Sequence, residues 1–404
     1  MAIPPVVGLE IGTSKTIALV GELREDGHVM IIGMGERESA GVRKGEIVDM
    51  GQTQACVRAV LEQAEENARV HIGQVHLAVT GGHIQSMVNR GTAPIMDREH
   101  GVTEDDMDQV VHVAGAVNLA QDREILHTIC QHYRVDGQEP VVNPEGMDGA
   151  WLELDMLALH GIRSRIRNAV RIVESLSMDA GEVVFGGICA ALATLTTEQK
   201  KSGVIVVDMG GGTTDYLAYA DGVVAAAGAI GVGGDHVSND IALAFNIPMA
   251  RAERLKREHG SAIPDPAQAS RRVSLPAEVG FPSRSISISA LQTVIHARCD
   301  ELLGMIKARL EKAGVPSRIG AGIVLTGGGS RLTGIGTLAG RIAGLPCHTG
   351  RPRNLSGLTL ATDGPEYTVC AGLIKYAFMC LSERRSSDAF GVWMDRIRGM
   401  IKRR

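Results

Sequence analysis

"VIVVDMGGGTTDYLAY", residues 204–219, runs four β-favouring residues into Asp208, three glycines, two threonines and Asp215, then resumes strand-forming sequence. Residues 6–22, "VVGLEIGTSKTIALVGE", repeat the pattern: an apolar run, the acid Glu10, Gly12 with the hydroxyls of Thr13 and Ser14, and a second apolar run. Each reads as strand–turn–strand, because turn-forming residues separate two β-rich runs. A third block, "GIVLTGGGSRLTGI" (322–335), follows another strand, and its downstream pattern predicts a helix starting near Ser330. Two like hairpins about two hundred residues apart imply two related halves facing each other across a cleft.

The chemistry on offer suits a nucleoside triphosphate. Glycines remove side chains so that backbone N–H groups can face phosphate oxygens. Thr and Ser hydroxyls add donors, and Lys15 supplies a point charge for a terminal phosphate. Glu10 and Asp208, at strand ends, could hold Mg²⁺ through water, since that ion dehydrates reluctantly. A single G-G-G is often only a loop, but two matched acid-x-Gly hairpins and a third block make coincidence a poor explanation. G-x-x-x-x-G-K-[ST] is absent, and "GMGERESAG" (33–41) lacks the third glycine of a dinucleotide fingerprint. "GVGGDHVSND" (231–240) is stronger: Gly233 and Gly234 could close over phosphates at the start of a helix.

At 404 residues the chain exceeds one ordinary core, and 44% apolar with 22% charged residues reads as a soluble globular protein of two or more domains. The seven cysteines include no C-x-x-C pair, which suits a reduced, cytosolic chain. No basic region with a following apolar run marks a signal peptide, and no apolar stretch is long enough to span a bilayer. A net charge of −5 gives no general attraction to nucleic acid. That charge is uneven: "GVWMDRIRGMIKRR" (391–404) carries five basic residues and one Asp, a net of +4, against −9 for the remainder. Val392, Trp393, Met394, Ile397, Met400 and Ile401 are apolar; of these Trp393, Ile397, Met400 and Ile401 share one helical face, while Arg396, Arg398, Lys402, Arg403 and Arg404 are left mostly for the flanks and polar face. A greasy, cationic helix of this kind favours an anionic membrane surface over docking on its own core.

Together the three glycine blocks resemble the two phosphate motifs and the adenosine motif of the actin, heat-shock chaperone and sugar kinase superfamily. With the segment 84–162 and the basic tail, the sequence most resembles the FtsA family of bacterial cell-division proteins, over nearly its whole length. The resemblance implies an α/β fold: a two-lobed, actin-like ATPase with related cores around a nucleotide cleft, an inserted 1C subdomain and a C-terminal amphipathic helix. Subdomain 1A would comprise 1–83, 163–197 and 358–382, and 1C would comprise 84–162. Subdomain 2A would comprise 198–229 and 315–357, and 2B would comprise 230–314. A linker would cover 383–390. The residues agree locally: 74–82 reads as a strand, 103–117 as a helix capped by Thr103 with Asp106 in its first turn, and 289–314 as a long helix with a Ser289/Gln292 capping box.

Residue by residue, the resemblance implies that Gly12, Thr13, Ser14 and Lys15 hold ATP phosphates from one side and Gly210, Gly211, Gly212, Thr213 and Thr214 from the other. Gly233 and Gly234 would close the phosphate region, and Gly327, Gly328, Gly329 and Ser330 would lie against adenosine. Glu253 and Lys256, three apart on one helix face, would contact ribose and base; spacing alone would make them a solvated ion pair. Fast relatives carry an acid or amide where this chain has Gly186 and Gly187, so tight ATP binding with slow hydrolysis is expected. The family's implied role is to polymerise on the inner membrane surface at the septum, tether the tubulin-like protein FtsZ by its C-terminal peptide, and recruit later division proteins. Arg298 is the candidate peptide contact. The rivals are a related actin-like pilus assembly ATPase, which the basic tail opposes, and a small-molecule kinase, for which no catalytic acid is evident. His127, Cys130 and His132 alternate along a strand, which splits them between two faces and argues for structure rather than zinc.

Overall fold

The computed structural model describes residues 4–25, 28–96, 99–277, 282–358 and 362–385. The expected membrane helix, 391–404, lies outside these residues. The chain opens with β1 (Val6–Ile11), β2 (Lys15–Leu23) and β3 (Val29–Glu38), an antiparallel meander. A small hairpin, β4 (Val42–Arg43) and β5 (Glu46–Ile47), and then α1 (Met50–Ala68) lead to β6 (Gln74–Val79), parallel to β1. Next, β7 (Gln85–Pro94), α2 (Glu104–Gly115), β8 (Arg123–Val135) and β9 (Trp151–Ile162) form a separate sheet, ordered β7-β9-β8. α3 (Arg163–Glu174) and β10 (Asp179–Phe185) return to the first sheet; α4 (Gly186–Thr194) and α5 (Thr197–Ser202) lead out of it.

The second lobe repeats the plan with β11 (Val204–Met209), β12 (Thr214–Ala220) and β13 (Val223–Ile230). An outer excursion follows: α6 (Gly234–Phe245), α7 (Met249–His259), the hairpin β14 (Arg272–Leu275) with β15 (Arg284–Ser287), and α8 (Ile288–Lys312). β16 (Ile323–Thr326), α9 (Ile335–Ala343) and β17 (Cys347–Thr349) complete the second sheet, and β18 (Leu355–Gly357) with α10 (Thr368–Arg385) returns to the first lobe. The sheets read β10-β6-β1-β2-β3-β18 and β13-β12-β11-β16-β17. In each, a three-stranded meander is extended beside its first strand by parallel strands, so the repeat inferred from the glycine hairpins is a repeat of architecture. The central strands are buried on both faces, which is why they read as unbroken apolar runs.

Most local expectations hold. Thr103 and Asp106 form a reciprocal capping box on α2, and Leu291, Ile295, Leu302, Ile306 and Leu310 are the buried stripe of α8. Three differ. α8 is capped by Ser287, whose hydroxyl accepts from the Ala290 N–H, not by Ser289; Gln292 is buried and accepts from the Asp265 N–H at 2.8 Å. After the third glycine block comes a 3₁₀ turn, Gly328–Arg331, and the helix waits until Ile335, beyond a left-handed Gly334. α10 runs to Arg385, so the first three residues expected as linker are helical.

A seam of small residues joins the lobes. α4 is built of buried small residues and packs against α10 on one side and against β11 and β12 on the other. A Cβ added at Gly372 of α10 would overlap the carbonyl oxygen of Cys189 in α4. Gly372→Ala is expected to destabilise the chain by about 2–3 kcal/mol, read as a lower urea midpoint, because backbone cannot yield as a flexible side chain does. An unchanged midpoint would mean that these helices are free to separate.

Candidate functional site

A cleft of about 510 Å³ lies between the lobes. The two hairpins form its floor with matching turns: the Gly12 N–H donates to the Lys15 carbonyl at 3.0 Å, and the Gly210 N–H to the Thr213 carbonyl at 2.9 Å. Among the described residues, the N–H groups of Thr13, Ser14 and Gly211 have no protein acceptor. These loops present unsatisfied donors to the cleft, the property that an anion requires.

Most of the expected set lines this space: Glu10, Gly12, Thr13, Ser14 and Lys15; Asp208, Gly210, Gly211 and Thr213; Gly233 and Gly234; Glu253 and Lys256; Gly327, Gly328 and Gly329. Three expected contacts stand back from it. Gly212 is packed beneath the backbone of Lys44, 2.7 Å from where its Cβ would be. Thr214 is fully buried in β12, donating to the Val232 carbonyl at 2.8 Å, and the Ser330 hydroxyl closes its own turn onto the Gly327 carbonyl at 2.7 Å.

The start of α6 also differs from expectation. The Gly234 N–H donates to the Gly210 carbonyl at 3.0 Å and the Asp235 N–H to the Gly211 carbonyl at 2.8 Å. Those helix donors are committed to the second hairpin, so α6 fixes the loop instead of meeting an anion directly. Gly233 permits the contact: a Cβ there would lie 2.6 Å from both carbonyl oxygens. Lys15 reaches the cleft, but its ammonium pairs with Glu36, which also accepts from the Tyr367 hydroxyl at 2.7 Å. Lys256 pairs with Glu253 at 2.6 Å and donates to the Gly234 carbonyl at 2.9 Å, tying α7 to α6. Burial would push the Glu253 carboxyl up, but Lys256, Ser238 and Arg257 outweigh it and hold the pKa below the usual glutamate range. Arg298 is engaged internally: it forks onto Asp240 at 2.6 and 3.1 Å and pairs with Glu301, so a partner's carboxylate would have to compete with two of its own lobe's.

The floor concentrates carboxyl groups. Burial, then Asp208 and Asp215, push the Glu10 carboxyl well above the usual range, and its Oε2 is buried without a hydrogen-bond partner. Burial lifts Asp208 to about 7. Glu10 and Asp208 keep some exposure through the cleft, yet protein surrounds them closely enough to desolvate them. Among the described residues, no three His, Cys, Asp or Glu side chains gather tightly enough to hold a metal directly. An orphaned carboxylate oxygen between acids a little farther apart fits a hydrated divalent cation.

Asp215 and Thr80 also line the cleft, and motif reasoning did not assign them a role. The Thr80 hydroxyl, from the first lobe, donates to the Asp215 carboxylate in the second and lies 3.3 Å from the Thr213 hydroxyl. Asp215 Oδ2 lies 2.6 Å from where a Gly186 side chain would begin, so the second hairpin fills the space vacated by that glycine. The available signal was an acid placed inside an otherwise strand-forming run: every residue of β12 is buried, and Asp215 is 2% exposed.

Comparison with known proteins agrees with this architecture. The family described as cell division protein FtsA matches residues 205–372, and the SHS2 domain inserted in FtsA matches 81–160. The cell division protein FtsA of Escherichia coli K12 is 34% identical over 98% of this chain and 97% of its own length. That of Pseudomonas aeruginosa PAO1 is 34% identical over 96% and 92%. Two solved structures share the fold at low identity. A PilM–PilN type IV pilus biogenesis complex has a TM-score of 0.65 at 14% identity, covering 92% of this chain and 98% of that one. Spiroplasma citri MreB5 bound to ADP has a TM-score of 0.53 at 17%, covering 95% and 99%.

Asp208 sets the sign of a pH effect. Its pKa of about 7 lies above the ordinary aspartate value of 3.8. Between these values the folded protein holds a proton that the unfolded chain has released, so stability falls as pH rises through that window. The urea midpoint of the nucleotide-free protein is expected to drop from pH 5 to pH 8, and to drop less in Asp208→Asn. An identical pH profile for both proteins would contradict the burial of this carboxylate.

Proposed function

The chain belongs to the FtsA family of actin-like cell-division proteins, and from that premise we propose that it binds ATP with Mg²⁺ between its two glycine hairpins and works as a membrane-bound filament. The observation carrying the nucleotide reading is the convergence, from opposite lobes, of unsatisfied N–H donors and desolvated acids on one cleft. Glu10 and Asp208 would hold the hydrated cation, which would neutralise both the acids and the phosphate oxygens. Gly327, Gly328 and Gly329 would back the adenosine, with Glu253 and Lys256 at ribose and base.

Hydrolysis is read as slow. Asp215, beside Gly186, is the group available to orient a water, and burial keeps its carboxyl well above the usual range. ATP would favour the closed cleft, and closed subunits would polymerise on the cytoplasmic face of the inner membrane at the septum. The filament would tether FtsZ through its C-terminal peptide on the outer lobe and recruit later division proteins. No helix of the described residues is long and apolar enough to cross a membrane, so attachment is assigned to residues 391–404. One such helix binds weakly, and many on a filament bind together.

The full chain is expected to melt several degrees higher with MgATP than with Mg²⁺ alone. It should also sediment with anionic vesicles when ATP is present. Removing 391–404 should abolish sedimentation and keep the MgATP shift. No shift in the intact chain contradicts the nucleotide reading; undiminished sedimentation of the truncated chain rules out the tail as anchor.

A further inference from the structure

β4 and β5 pair Val42 with Ile47 and Arg43 with Glu46, leaving Lys44 and Gly45 as a two-residue turn. Both have positive φ, 52° and 73°, the mirror-image turn suited to twisted hairpins. Its first position normally holds Asn, Asp or Gly, because a longer side chain is strained in the left-handed region. A lysine kept there is an outlier that invites a functional explanation.

The turn is wedged between the two hairpins. The Gly45 N–H donates to the Thr13 hydroxyl at 2.8 Å, and a Cβ at Gly45 would lie 2.8 Å from the Thr213 methyl. The Lys44 backbone covers Gly212 at 2.7–2.9 Å from its Cβ position. The other two lysines of this region are committed, Lys15 to Glu36 and Lys256 to Glu253. Lys44 is exposed and, among the described residues, has no ion-pair partner. Its charge is felt at His236, in the first turn of α6, whose pKa is lowered by burial first and by Lys44 next. That places the charge near the start of α6, beside the two hairpins on which the turn's backbone rests.

We propose that the turn of Lys44 and Gly45 reads the terminal phosphate, so that this cleft distinguishes a nucleoside triphosphate from a diphosphate. The inference rests on the nucleotide reading above and deepens it. The two hairpins hold the turn's backbone, and the outermost phosphate, present only in the triphosphate, meets the Lys44 ammonium. Glu46, the next residue, pairs with Arg165 on α3. The helix that follows the insert is thereby tied to the phosphate end.

The test compares MgATP and MgADP affinities of the full chain by calorimetry in the wild type, Lys44→Asn and Lys44→Arg. Asn suits the turn's first position, so the nucleotide-free melting temperature should hold or rise. Lys44→Asn is expected to weaken MgATP about tenfold and MgADP by less than about twofold, from loss of a charge-assisted contact. Lys44→Arg should keep the preference. Equal weakening of both nucleotides, or no change in either, overturns the proposal and leaves Lys44 as a turn residue only. Wild-type protein that binds neither nucleotide overturns the reading of the cleft itself.

Discussion

The constraint on which the rest depends is the concentration of carboxyl groups at the cleft floor. Glu10 and Asp208 end equivalent strands of the two sheets, and Asp215 begins the return strand of the second hairpin. Desolvation works against their ionised forms; Asp208 and Asp215 make ionisation of Glu10 harder still, and Asp208 does the same to Asp215. Without counter-charge, the folded state carries an electrostatic burden where the lobes meet. Donor N–H groups, glycines that admit a ligand to the backbone, and a cation recruited with that ligand would remove it. A site that is poor for stability and suited to binding is the usual sign of function.

The duplicated architecture delivers this arrangement. Each lobe contributes one strand pair ending at the cleft, and the small-residue seam of α4 and α10 holds the sheets at a fixed spacing beneath it. The insert adds a second tie. Ser86 donates to the Ala227 carbonyl, and the Gln131 amide to the carbonyls of Val224 and Ala225, all on the edge strand β13. Leu126, Ile129, Leu157 and Leu159 of the insert join a buried cluster with Val224, Ala227 and Ala229. The insert belongs in sequence to the first lobe but packs on both, so a change in cleft closure must be accommodated at its base.

The hairpins and the repeat were legible because acids and glycines punctuate apolar strands locally. The α2 cap was legible because both partners lie within one turn. Where the outcome depended on distant residues, the sequence pattern fell short. Lys15 looked free until Glu36, on the next strand, claimed it. The N-terminus of α6 looked like an anion site until the carbonyls of Gly210 and Gly211 took its donors. Ser289 read as the cap of α8, but β15 runs directly into the helix and its last residue, Ser287, takes that place. Asp215 was overlooked although it stood in the first motif quoted, because its role depends on a side chain missing at Gly186.

Hydrogen exchange of the full chain, with and without MgATP, tests most directly whether both lobes grip one triphosphate. The account predicts that nucleotide slows exchange at 12–16 and at 210–214 together, with the same dependence on concentration. Protection of one hairpin while the other exchanges as in the free protein would contradict it.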